Sequence, residues 1–122
     1  MENRSQKYQR ERRSEALREE ITSLVEGELE DPRIGLVTVN EVKLDPGGKV
    51  ARVFVTIAGD DGEVAESLDG LNASRGYIRH ELIVNLGIRR APDLVFVLDQ
   101  AEERGSRVDE LLQRIEKRKR RT

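Results

Sequence analysis

The chain has 122 residues, no cysteine, one histidine, two tyrosines, two phenylalanines and a net charge of −2. These figures bound it to one domain and exclude disulfides, thiolate metal sites and a cysteine nucleophile. They also argue against a protein that coats nucleic acid by bulk positive charge.

Residues 1–13 are polar and highly charged, an extension that continues into helix one. That helix is predicted over 14–29, with Leu17, Ile21, Leu24 and Val25 as its inward stripe. Asp31-Pro32 reads as its stop, because proline cannot continue the helical hydrogen-bond ladder. Residues 34–44 are rich in strand formers, and Asp45-Pro46-Gly47-Gly48 is a strong turn signal. A second strand follows over 50–57, where Ala51, Val53, Val55 and Ile57 alternate with Arg52 and Thr56. After a loop at 58–62, a helix starting near Glu63 carries Val64, Leu68 and Leu71 toward a bend placed at Gly76. Beyond it Ile78, Leu82, Ile83 and Leu86 continue one apolar face. Residues 94–98 are apolar at every position, the pattern of a strand that is central or covered on both sides. Val108, Leu111, Leu112 and Ile115 mark a short amphipathic helix, and 113–122 reads as a basic, disordered tail. The order α-β-β-α-α-β predicts an α+β domain over 14–112, a small sheet with helices on one face.

Charge is unevenly spread. Residues 41–69 carry seven acids and three bases, whereas 71–92 carry four arginines and one acid. The bend at Gly76 gathers Arg75, Arg79, His80, Arg89 and Arg90 against the single carboxylate Glu81. Basic side chains at a kink, with amides exposed at a helix start, suit a polyanion such as RNA. The plain alternative is a solvated charged face. Gly59-Asp60-Asp61-Gly62 spells the GxxG clamp of KH domains, but it joins a strand to a helix and its centre is anionic. His80 sits beside Glu81, and adjacent helical residues do not face each other, so a base–carboxylate pair is not expected. With no nucleophile, metal cluster or phosphate loop at a suitable spacing, no catalytic residue, metal or cofactor is predicted. No apolar run approaches the ~20 residues that span a bilayer, and the start is not signal-like. A cytoplasmic setting is expected.

The segments ELEDPRIGLVTVNEVKL, ARVFVTI, GYIRHEL and IRRAPDLVFVLD, in this order, resemble the ribosome-binding factor A family over about residues 10–112. Asp31-Pro32-Arg33 and the spaced set Arg89, Pro92, Leu94, Phe96 and Asp99 carry the resemblance in combination. It implies a type II KH-like fold whose GxxG clamp is replaced by an Ala-x-Gly kink, here Ser74-Arg75-Gly76 with Ala73 one place earlier. It also implies a non-enzymatic factor that binds the free 30S subunit and assists late maturation of 16S rRNA, including its 5′ end, with a role in cold adaptation. By position, Ser74, Arg75, Gly76 and Arg79 would lie on rRNA. From the charges alone, Arg4, Lys7, Arg10 and Arg13 near the first helix, and Arg33 after it, are expected to join them on phosphates. The expected protein is a monomer with no membrane partner and no small-molecule substrate. Two rival readings are a small protein-interaction module with incidental RNA affinity and a hydrolase built on His80.

Overall fold

The computed structural model describes residues 1–99. The amphipathic segment containing Val108 to Ile115 and the basic tail at 113–122 lie outside them. The elements are α1 (Arg4–Gly27), β1 (Val37–Leu44), β2 (Val50–Ile57), α2 (Asp61–Ala73), α3 (Arg75–Leu86) and β3 (Asp93–Leu98).

Helix α1 begins ten residues before the expected start, for a local reason. Asn3 and Gln6 form a capping box: the Asn3 side chain accepts from the Gln6 amide at 2.8 Å, and the Gln6 side chain accepts from the Asn3 amide at 2.9 Å. Two donors that a helix start would otherwise orphan are thereby satisfied. The helix ends at Gly27, before Asp31-Pro32, which therefore does not terminate it. Leu17, Ile21, Leu24 and Val25 are buried as expected, and α1 packs chiefly on β1. The Ser14 hydroxyl, on the same face, accepts from the Leu44 amide at 3.1 Å and ties α1 to the end of β1.

The sheet order is β1-β2-β3, with β1 and β2 antiparallel and β2 and β3 parallel. In the β1–β2 turn the Asp45 carboxylate accepts from the amides of Lys49 at 2.9 Å and Val50 at 3.2 Å. A bulge at Asn40 shifts the alternation of β1, so that Val39 and Val42 both reach the core while Asn40 and Glu41 face out. Val39, Val42, Leu44, Ala51, Val53, Val55 and Leu94 close over Ile21, Leu24, Leu71, Ile78 and Leu82 from the helices. This is the α+β, type II KH-like arrangement, with all three helices on one face. Strand β3 departs from its apolar reading. It is an edge strand, and Val95 is 43% exposed on the face away from the helices.

β1 begins at Val37, three residues later than predicted, because 31–36 form a docked loop. The Ser67 hydroxyl on α2 accepts from the Gly35 amide at 3.0 Å and donates to the Arg33 carbonyl at 3.4 Å. The loop approaches α2 where Gly70 has no side chain. A Cβ there would lie 2.6 Å from Ile34 Cγ1 and 3.4 Å from Arg33 Cβ and Asp31 Cγ. Helix α2 itself starts at Asp61, two residues early, on a second capping box made by Asp60 and Glu63.

Two substitutions test this packing together. Gly70→Ala is expected to lower stability by ~1–3 kcal/mol, because Ile34 must move. Gly76→Ala, with nothing within 4 Å of the added methyl, is expected to leave stability unchanged or raise it by up to ~1 kcal/mol. Urea unfolding monitored by circular dichroism distinguishes the two.

Candidate nucleic-acid interface

The break between α2 and α3 falls at Ser74, not at Gly76. Ser74 has φ −89° and ψ 0°, ending one helix and starting the next without any left-handed residue. Its hydroxyl donates to the Gly70 carbonyl at 2.9 Å, and its amide bonds back to Gly70 and Leu71, each at 3.1 Å. The hydroxyl thus serves the end of α2, and α3 starts with no side-chain cap. Gly76 is an exposed residue in the first turn of α3. Its contribution is the absence of a side chain over that turn, whose start carries no side-chain cap. The expectation of a glycine hinge is therefore corrected to a serine joint followed by a bare helix start.

The arginines divide into two groups. Arg79 is turned inward: its Nε donates to the Pro92 carbonyl at 3.1 Å and its Nη2 to the Ala91 carbonyl at 3.1 Å, with Asp93 Oδ1 3.4 Å away. It binds α3 to the segment that enters β3, and Asp93 is a second carboxylate beside the Arg75–Arg90 set that the charge count along the chain did not bring there. Arg10 is similarly committed, donating to both carboxylate oxygens of Glu2 (2.6 and 2.9 Å) and to the Leu44 carbonyl at 3.0 Å. Arg33 holds Asp31 at 2.7 and 3.1 Å. Lys7 lies 4.0 Å from Glu11 on the exposed face of α1.

The second group faces outward. Arg75 donates its Nε to the Asn72 carbonyl at 3.1 Å, which points its guanidinium along a groove between the helix joint and the start of β3. Among the described residues Arg4, Arg13, His80, Arg89 and Arg90 are exposed and make no hydrogen bond or ion pair. Arg13 and Arg90 come from distant parts of the chain to line one cavity. The structure thus brings Arg75, Gly76 and Arg79 into one groove and Arg13 and Arg90 into a neighbouring depression. The segment from Arg89 to Asp93 runs between them. Arg33 and Arg10 join neither as free charges. Arg12 was not singled out in the sequence. It lies beside Arg13 in a groove bounded by Pro46 and Gly47, with its guanidinium 5.8 Å from the centre of the Tyr8 ring. The doublet Arg12-Arg13 was the available signal.

Among the described residues no group of three or more acidic, histidine or cysteine side chains could hold a metal ion. No helix there is long and apolar enough to cross a membrane. The arrangement offers positive charge, bare helix amides and shallow grooves.

Comparison with known proteins identifies the family. A profile of the family described as ribosome-binding factor A matches residues 9–112. The ribosome-binding factor A of Koribacter versatilis is 56% identical over 119 residues, 98% of this chain and 97% of its own. The crystal structure of the Thermus thermophilus protein of that name superposes with a TM-score of 0.67 at 26% identity, covering 75% of this chain and 97% of the other. Thermus thermophilus coordinates fitted into a cryo-EM map of a 30S complex superpose with a TM-score of 0.53 at 28% identity, covering 70% of this chain and 93% of the other.

Two measurements follow from the committed arginines. Arg79→Ala is expected to cost ~1 kcal/mol and to speed amide exchange in 91–94, because it releases the two carbonyls. Arg75→Ala leaves both unchanged. The Arg33 guanidinium and amide beside Asp31 lower its carboxyl from 3.8 to about 2. Its folded-state value lies below the unfolded one, so the stabilising contribution is complete above about pH 4 and is lost as the pH falls through about 2. A carbon-detected NMR titration of Asp31 should give that midpoint, and Arg33→Ala should raise it toward the ordinary range while the residue-33 amide keeps part of the shift.

Proposed function

Because the chain belongs to the ribosome-binding factor A family, we propose that it binds the free 30S ribosomal subunit through the phosphate backbone of 16S rRNA and assists late maturation of that RNA. Processing of the 5′ end and support of growth in the cold are part of this reading, as is a cytoplasmic, monomeric, non-catalytic protein. The observation that carries it is the 30S complex into which a Thermus thermophilus relative was fitted. The outward-facing arginines of the α2–α3 joint and of the α3–β3 segment support it physically.

Arg75 and the uncapped first turn of α3 act together on a phosphate: the guanidinium supplies charge and the amides supply donors. Arg89 and Arg90 extend the contact past the segment that Arg79 fixes. Among the described residues, no aromatic side chain lines the Arg75 groove or the Arg13–Arg90 depression, so recognition rests on charge and on the shape of folded RNA. A factor of this kind acts by differential affinity. It holds the rRNA conformation that presents phosphates at the right spacing, and it leaves when a change of conformation withdraws them.

The triple variant Arg75→Glu, Arg89→Glu, Arg90→Glu is expected to keep the wild-type circular dichroism spectrum and to lose co-sedimentation with purified 30S subunits. Arg79 is left in place because its role in the fold would confuse the result. With about four phosphates engaged, log K should fall with log salt at a slope of roughly −3. Retained 30S binding by the folded triple variant, or affinity indifferent to salt, refutes the reading.

A further inference from the structure

The depression lined by Arg13 and Arg90 has a feature that phosphate binding does not use. Its floor is apolar: Leu17 and Leu44 from the core edge, then Leu86, Ile88 and Pro92 around the end of α3. The cavity measures about 230 Å³, less than the ~300–1,000 Å³ typical of sites for drug-sized ligands and suited to one planar ring. No carboxylate lines it, and its two charged residues are arginines with no internal partner among the described residues. Ala16 at the mouth is small, and through Ala16 and Arg13 the cavity joins the groove that runs past Arg12 to Pro46 and Gly47. Arg89 adjoins it in sequence.

We propose that this cavity takes one unstacked base of single-stranded RNA, with the flanking phosphates on Arg13 and Arg90. Charge complementarity selects the occupant. An apolar recess ringed by unpaired guanidiniums and free of acids matches a ligand that alternates flat apolar groups with anions. Guanidinium planes can also lie against a base face. No hydrogen-bond donor or acceptor side chain sits in the floor, so the site does not discriminate between bases. The proposal rests on the 30S reading and adds to it a contact on the far side of the Arg89–Asp93 segment from the helix joint.

The test titrates the isotopically labelled full chain with an oligouridylate of about six nucleotides and with an abasic ribose-phosphate chain of the same length. In parallel, co-sedimentation with 30S subunits is measured. The oligouridylate is expected to move the amide signals of Gly48, Leu86 and Ile88 and to bind at least about fivefold more tightly than the abasic chain. Ala16→Phe, which blocks the mouth without altering charge, should reduce that affinity to the abasic level while shifts near Arg75 persist. The pair Arg13→Gln, Arg90→Gln should weaken both ligands. Equal binding of the two chains, unmoved Leu86 and Ile88 signals, or wild-type affinity in Ala16→Phe would each overturn base insertion, and intact wild-type 30S binding then leaves the parent reading standing. Failure of the wild-type protein to sediment with 30S subunits overturns both.

Discussion

The clamp made by Arg79 is the constraint on which the interface depends. β3 pairs in parallel with β2, so the chain must return along two helices before it can join the sheet, and the last turn of that path has no regular structure. Arg79 reaches from α3 to the carbonyls of Ala91 and Pro92 and satisfies two acceptors that the loop cannot pair internally. One guanidinium thereby holds α3 to the segment that leads β3 in beside Val50. The charge that looks most available in the sequence does its work by holding backbone carbonyls.

The same division of labour explains why a net charge of −2 is compatible with a polyanion partner. Arg10 and Arg33 are neutralised locally by Glu2 and Asp31, and Arg10 also ties α1 to the end of β1 through the Leu44 carbonyl. Apart from Arg18, paired with Glu15, and Arg52, exposed on β2, the arginines that remain lie at the α2–α3 joint, along the start of α1 and on the α3–β3 segment. Exposed ion pairs contribute little to stability, so the sequence loses little by leaving these cations unpaired. A concentrated potential at one end of the sheet is what that choice produces.

Much of the fold was legible because the core is periodic. The alternation from Ala51 to Ile57 gave β2 its bounds, and the stripe from Leu17 to Val25 gave α1 its inner face. The misplacements have particular causes. Asn3 and Gln6 hold the spacing of a capping box, but a polar segment with nothing to bury reads as an extension. Ile34 and Gly35 look like a strand, yet they serve the docking of a loop on Ser67 and Gly70, a tertiary demand that no local pattern carries. Propensity points to glycine for the bend, whereas the turn falls at Ser74, whose hydroxyl bonds to Gly70. At the interface, residue types were readable and their commitments were not, because Arg79 finds its partners twelve and thirteen positions along the chain.

The parallel register of the last strand also has a kinetic consequence. Val50 faces Asp93 and Ala51 faces Leu94, so the central strand stays half-paired until synthesis has passed more than forty further positions. The antiparallel hairpin and α1 can assemble early from nearby contacts. Closure of the hydrophobic layer must await a long-range event whose loop-closure entropy is paid before its reward arrives. During translation, then, the amino-terminal half emerges as a two-stranded scaffold with one edge open, and the arginine-bearing surface takes shape only at the final step.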